Sequence, residues 1–363
     1  MEKRLYSMDL IRVLAMFLVI IVHTKSMFFT MNTYPHIYMF LKVIGTVGVP
    51  LFVILTGYLM FDRDYENDNY LKKFLLGNLL PLVIAYEFWN IAWNIFRYAP
   101  FTENPQKWSA IAKAALFMGD TISALWYLPM TIALYLGMPI LSVFCHRITS
   151  TLYAKILIFA LIMSGTLIPS VAPILSFTGH TPSIHSVLRM NIFGASVWGE
   201  SVWMIYLLAG WAISHGKLKQ IKTSMLSVCG IILPFALMYG AELLKHSVQH
   251  YDFVLVVILS ISVFELLTRT DANLISHENF RKIITSVSRF SFAVYMLHSF
   301  IGKAIRKVLS LIVTTPPPEN SLAPAISVLS YIAFLIAIVT IIYFIVEIVK
   351  RNHFFRRYVL LMK

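Results

Sequence analysis

Apolar stretches of about twenty residues follow one another along almost the whole chain, with only short polar intervals between most of them. A helix of that length spans the ~30 Å hydrocarbon core of a bilayer. Only 13% of the 363 residues are charged and 58% are hydrophobic, with a mean hydropathy of +0.75. A soluble domain carries about 25% charged residues. The expected fold is therefore all-α: a polytopic transmembrane helix bundle of about ten spans, near 8–29, 38–60, 74–97, 122–145, 153–172, 196–214, 224–244, 252–268, 289–312 and 325–349. Residues 1–363 are read as one membrane-embedded domain, with a core over 6–349 and a basic tail over 350–363. No room remains for a sizeable soluble domain.

Much of the formal net charge of +13 is explained by topology. With the N-terminus in the cytoplasm, nineteen of the 30 Lys and Arg residues fall on the cytoplasmic side and nine outside, while Arg12 and Lys42 lie within spans. Positive charge collects on the cytoplasmic side, so both termini are expected there. No basic domain or aromatic-basic motif points to nucleic acid. The tail from Lys350 to Lys363 suits a juxtamembrane anchor on anionic lipid. Lys3 and Arg4 before an apolar run superficially resemble a signal peptide. Asp9 and Arg12 interrupt that run, however, and Thr24-Lys25-Ser26 is no small-residue cleavage site, so the segment is read as a retained span. Cys145 and Cys229 make neither a disulfide framework nor a metal cluster. No metal or phosphate-loop signature occurs, and no internal repeat is evident.

The first span carries Asp9, Arg12 and His23. At 100° and 1.5 Å per residue, Arg12 and His23 lie about 20° apart around a helix and roughly 16 Å apart along it, with Asp9 about 60° away. Each such group costs on the order of 2.5–3.5 kcal/mol at membrane depth, so this stripe should face protein or a water-filled cavity. Within the second span, the stretch from Gly45 to Tyr58 holds small residues suited to close packing and Pro50, which can break the helix. Glu87, Asn90 and Asn94 form a polar stripe on the third span. Trp126 and Tyr127 open the fourth, where aromatic belts are ordinary. On the ninth, Ser291, Tyr295 and His298 share a face. The loops near 98–121 and 173–195, the second holding His180 and His185, and the Pro316-Pro317-Pro318 segment are expected outside.

A neutral imidazole is suited to taking a proton from a hydroxyl near pH 7. An Arg at the cytoplasmic mouth offers a fork of donors to a phosphate or carboxylate. Two chemistries suit such a constellation: acyl transfer to a hydroxyl, and proton-coupled transport of a glycan or lipid-linked sugar through a His/Glu relay. Spacing does not choose between them.

Four motifs occur in order: Asp9-Leu10-Ile11-Arg12 with ten residues between Arg12 and His23; Gly48-Val49-Pro50-Leu51-Phe52 to Thr56-Gly57-Tyr58-Leu59; Leu125-Trp126-Tyr127-Leu128 with Pro139; and Ser288-Arg289-Phe290-Ser291 to Tyr295-Met296-Leu297-His298. Together they resemble the acyltransferase-3 family of integral-membrane O-acyltransferases. The likeness is strongest to single-domain members that acetylate bacterial surface polysaccharides, of the enterobacterial common antigen type. Thr56 stands where that family often has Ser, which keeps the hydroxyl.

The resemblance implies a multi-pass protein of the bacterial inner membrane. Its donor would be acyl-CoA, usually acetyl-CoA, on the cytoplasmic side, and its acceptor a hydroxyl of an extracytoplasmic sugar or polysaccharide, with no metal. With that resemblance and the common face of Arg12 and His23, the expected mechanism has Arg12, with cytoplasmic basic residues such as Arg63 or Arg289, holding the donor. His23 would act as general base or transient acyl carrier, with Asp9 orienting Arg12. Glu87, Tyr295 and His298 would line the cavity, and Trp126 or Tyr127 would donate to the thioester oxygen.

Overall fold

The computed structural model describes residues 6–98, 109, 112–113, 125–178, 191–192, 195–196, 201–246, 250–270, 277–312 and 323–362. The expected outer loops near 98–121 and 173–195, with His180 and His185, lie largely outside them, and Pro316-Pro317-Pro318 wholly so. Among the described residues the chain is built of helices, apart from a two-residue antiparallel bridge pairing Asn191 with Ser196 and Ile192 with Ala195. Seven helical segments among the described residues are long and apolar enough to cross a membrane: Tyr6–Met27, Pro35–Met60, Asp68–Ile95, Tyr127–Arg147, Thr151–Ser176, Thr223–Leu243 and Pro324–Val349.

The other three expected spans are also helices, but differ in length or charge. Ser201–Ser214 has 14 residues and Val254–Arg269 has 16. Ser291–Ile312 has 22, with Lys303, Arg306 and Lys307 in its second half.

The chain divides into two compact units. The first comprises Met1–Arg63, Arg147–Ser288 and Glu319–Val328. It holds α1 (Tyr6–Thr24), α2 (Pro35–Thr46) and α3 (Gly48–Met60). The helices of the second, which comprises Asp64–His146, Arg289–Pro318 and Leu329–Lys363, come next in the chain: α4 (Asp68–Phe74), α5 (Leu80–Tyr98) and α6 (Tyr127–Arg147). The first unit resumes with α7 (Thr151–Ile162), α8 (Ile168–Ser176), α9 (Ser201–Ser214), α10 (Leu233–Leu243), α11 (Val254–Arg269) and α12 (Glu278–Arg289). Helices α13 (Ser291–Ile312) and α14 (Ala323–Val349) follow, with most of α14 in the second unit.

Proline spacing shapes three of the spans. A proline clashes with the carbonyl four residues earlier and supplies no N–H. Widened helical turns occur at Leu75–Leu79, Met163–Leu167 and Leu226–Ile232, just ahead of Pro81, Pro169 and Pro234. The residue four back from each proline is glycine: Gly77, Gly165 and Gly230. A turn of wider gauge takes up the missing bond without ending the helix. At Pro50 the outcome differs, because the span breaks at Val47 and restarts at Gly48. Pro50 then sits in the first turn of α3, where its missing N–H costs nothing.

In the first unit, glycines bring backbones into contact. A Cβ on Gly57 would stand 2.1 Å from Leu207 O, and one on Gly210 would stand 2.0 Å from Ile54 O. Helices α3 and α9 therefore touch main chain to main chain, as small residues allow in a bilayer. Gly48 does the same against α1, its ideal Cβ lying 3.0 Å from both Ala15 O and Leu18 Cβ. The Ala15–Leu18–Val22 face of α1 is thereby committed to α2 and α3, since Gly45 meets Val22 in the same way. That contact fixes the rotation of α1 and turns the Arg12–His23 line roughly 90° away.

The second unit is knit by aromatic rings. Trp93 and Phe300 lie 3.6 Å apart between centroids, and Tyr65 meets Phe74 edge-on at 5.1 Å. The C-terminal tail also belongs to this unit. Its wide turn Phe355–Val359 sets Phe355 against Phe88, and Val359 O accepts from Trp89 Nε1 at 3.0 Å. Val359 and Leu360 are buried, while Arg351, Arg356 and Arg357 are exposed. The segment expected to be a basic anchor thus has an apolar face docked on α5 and its basic residues at the surface.

Candidate active site

At the N-terminal end of α1, a buried carboxylate organises a small polar network. Asp9 accepts from Ser288 Oγ at 2.7 Å and from Thr285 Oγ1 at 3.5 Å. Arg12 Nη1 donates to Ser288 Oγ at 3.1 Å and lies 3.6 Å from Asp9 Oδ1. The serine hydroxyl therefore takes a proton contact from the guanidinium and passes one to the carboxylate. Arg281, Thr285 and Ser288 share one face of α12, and the Arg281 guanidinium lies 4.9 Å over the Tyr6 ring. This face clamps Tyr6, Asp9 and Arg12, spaced one helical turn apart. With its side chain 34% exposed, Arg12 keeps donors directed outward.

His23 closes the same helix at its other end and is half-buried. Helix α1 is unbroken between the two, so the axial rise of roughly 16 Å expected from spacing applies. The positions between them on that face are Met16 and Val19, which are 1% and 4% exposed. Polar chemistry at each end is thus separated by a buried apolar interval.

Beyond His23 lies a charged group for which the sequence shows no local signal. Lys42 Nζ pairs with Glu242 Oε2 at 2.6 Å, and the carboxylate is almost fully buried. Lys25 folds back, donating to Val22 O at 2.8 Å, with its ammonium 5.5 Å over the Tyr38 ring.

In the second unit the structure gathers Tyr127, Tyr295 and His298. Tyr127 meets Tyr295 at 5.6 Å and 69°, and Trp126 meets Tyr127 edge-on at 6.4 Å. His298 is 1% exposed. Its Nδ1 lies 2.7 Å from Tyr295 O and 3.2 Å from Val294 O. Carbonyls only accept, so Nδ1 carries the proton and, in the neutral ring, Nε2 accepts from Ser299 Oγ at 3.2 Å. On α5, Asn94 Nδ2 donates to Asn90 O at 2.8 Å, so two members of the polar stripe bond to one another while Glu87 continues it a turn earlier. Arg63 is exposed and donates from Nε to Leu59 O at 3.2 Å, and Arg289 is also exposed.

A family model described as an acyltransferase domain, that of acyltransferase-3, matches residues 5–347. The chain belongs to the acyltransferase-3 family. Comparison with curated proteins and with solved structures returned no match. As an acyltransferase-3 protein with seven membrane-length helices among the described residues, the chain is a multi-pass membrane acyltransferase. Within this acyltransferase, Ser288 and Thr285 complete the network around Asp9 and Arg12 without standing out in the sequence as candidates. Ser288 opens one of the four family-like motifs, but its partner Asp9 is 279 positions away.

Proposed function

We propose that this membrane acyltransferase moves an acetyl group from cytoplasmic acetyl-CoA to a hydroxyl of an extracytoplasmic sugar or surface polysaccharide. In this reading it crosses a bacterial inner membrane about ten times with both termini inside. One observation carries the proposal: a single unbroken helix holds an anchored guanidinium at one end and an imidazole at the other.

Arg12, held by Ser288 and Asp9, presents fixed donors to the donor's phosphates. Exposed Arg63 and Arg289 add positive charge at the cytoplasmic face. At the other end, His23 takes the proton as the sugar oxygen attacks the thioester carbonyl. The new C–O bond forms, the C–S bond breaks, and the proton passes to the departing thiolate. If His23 instead carries the acyl group transiently, the same bonds change in two steps. Glu87, Trp126, Tyr127, Tyr295 and His298 have supporting roles. A donor from Trp126 or Tyr127 would stabilise charge on the carbonyl oxygen.

The test is transfer of labelled acetyl from acetyl-CoA by purified protein in proteoliposomes. His23→Ala is expected to lower transfer by about 10²–10⁴-fold, the range of general-base catalysis. Arg12→Ala is expected to raise the KM for acetyl-CoA. Normally inserted variants with undiminished transfer would refute the assignment. A protein that moves a glycan but never consumes acetyl-CoA would be a transporter.

A further inference from the structure

The charged group beyond His23 has no use in the mechanism above, and its balance is uneven. Three lysines stand at this end of the first unit: Lys25 just past α1, Lys42 on α2, and Lys245 at the end of α10. Among the described residues the carboxylate paired with one of them is Glu242, which Lys42 takes at 2.6 Å. Lys25 is 8% exposed, yet its contacts are with neutral groups, the Val22 carbonyl and the Tyr38 ring. Tyr38 and Lys42 sit one turn apart on α2, so both ammonium groups gather over one face of that helix. Lys245 is exposed and follows Glu242 by three residues, with φ at 63° ending the helix.

A lysine near a membrane boundary ordinarily extends its ammonium to water. Lys25 does the opposite and folds inward. Buried cations are expected to be paired, and among the described residues no carboxylate pairs with this one. The counter-charge that fits is one a ligand brings. Beside it stands the Tyr38 ring, an aromatic face of a kind that suits a sugar.

We infer that the acceptor is an anionic sugar, carrying a carboxylate or a phosphate, and that Lys25 binds that group two residues from His23. The inference rests on the reading of His23 as the transfer centre. It narrows the acceptor from any sugar hydroxyl to one beside a negative charge.

The experiment measures equilibrium binding to purified protein in nanodiscs, with labelled acetyl-CoA consumption followed in parallel. The probes are glucuronic acid oligosaccharides, the same oligosaccharides with carboxylates converted to amides, and glucose oligosaccharides with and without a 6-phosphate. Wild-type protein is expected to bind at least one anionic probe about tenfold tighter than its neutral partner, the worth of one charge-assisted hydrogen bond. Whichever pair shows the preference identifies carboxylate or phosphate as the group read. Lys25→Gln is expected to bring that ratio close to one, and Lys25→Arg to keep it. Equal binding of charged and neutral probes by the wild type would overturn the inference, whatever the variants do. So would a Lys25→Gln protein that weakens both probes alike, because Lys25 would then only cap α1. Preferential binding without acetyl-CoA consumption would keep this site and sink the transfer reading. Efficient transfer to neutral acceptors with no anion preference would do the reverse.

Discussion

Asp9 is satisfied from three directions, by Ser288, Thr285 and Arg12. Removing one donor from a buried carboxylate costs about 1–3 kcal/mol. Ser288→Ala should therefore loosen Arg12 and, on the proposed function, raise the acetyl-CoA KM about tenfold, with a smaller change in kcat. Steady-state kinetics in proteoliposomes would show that split, whereas a general loss of folded protein would lower active-site concentration without moving KM. The Lys42–Glu242 pair makes a second prediction. Lys42→Met strands a buried carboxylate and should destabilise the protein by about 3–5 kcal/mol, while adding Glu242→Leu should recover most of that. Thermal unfolding of the detergent-solubilised single and double variants checks it. At this scale the sequence is legible only where partners are near. Asp9 and Arg12 are three apart and readable as one turn of helix. Lys42 has its partner 200 residues on, and no local pattern announces a contact of that separation.

Among the elements, α1 owes its orientation to what packs behind it. Gly48 lets the Ala15–Leu18 face seat closely, and the reciprocal approach of Gly57 and Gly210 seats α3 on α9. Gly210→Val would place a side chain where Ile54 O now stands and force the two helices apart. The expected result is a lower melting temperature and less monodisperse protein by size-exclusion chromatography. Small residues in the second span signal close packing in the sequence, but the matching glycine on α9 is not deducible from it. Wide turns before Pro81, Pro169 and Pro234 follow a glycine-to-proline spacing that is readable once the clash with the preceding turn is considered. Helix ends are less readable. Hydropathy marks α9 and α11 as spans, although their regular helices are only 14 and 16 residues long.

Across the whole molecule, the tail joins the second unit through Trp89 and two buried aliphatic side chains. Deleting residues 354–362 should uncover that surface, leave the Trp89 N–H without its acceptor, and lower the melting temperature by several degrees. A tail serving only as a lipid tether would be lost with no such change. Charge alone suggests the tether, because Arg351, Arg356 and Arg357 dominate the composition there and the docking residues are few.

The apolar interval formed by Met16 and Val19 bears on the cell's energy economy. Water and hydronium travel through membranes along chains of polar groups, and between Arg12 and His23 this face of α1 offers them only the buried Met16 and Val19 side chains. On the proposed function a thin thioester arm would reach past these two hydrocarbon side chains, where a file of protons along this face would not. Liposomes carrying the purified protein and an imposed pH gradient should therefore hold that gradient as long as empty ones, and on the proposed function acylation would leave the proton-motive force untouched.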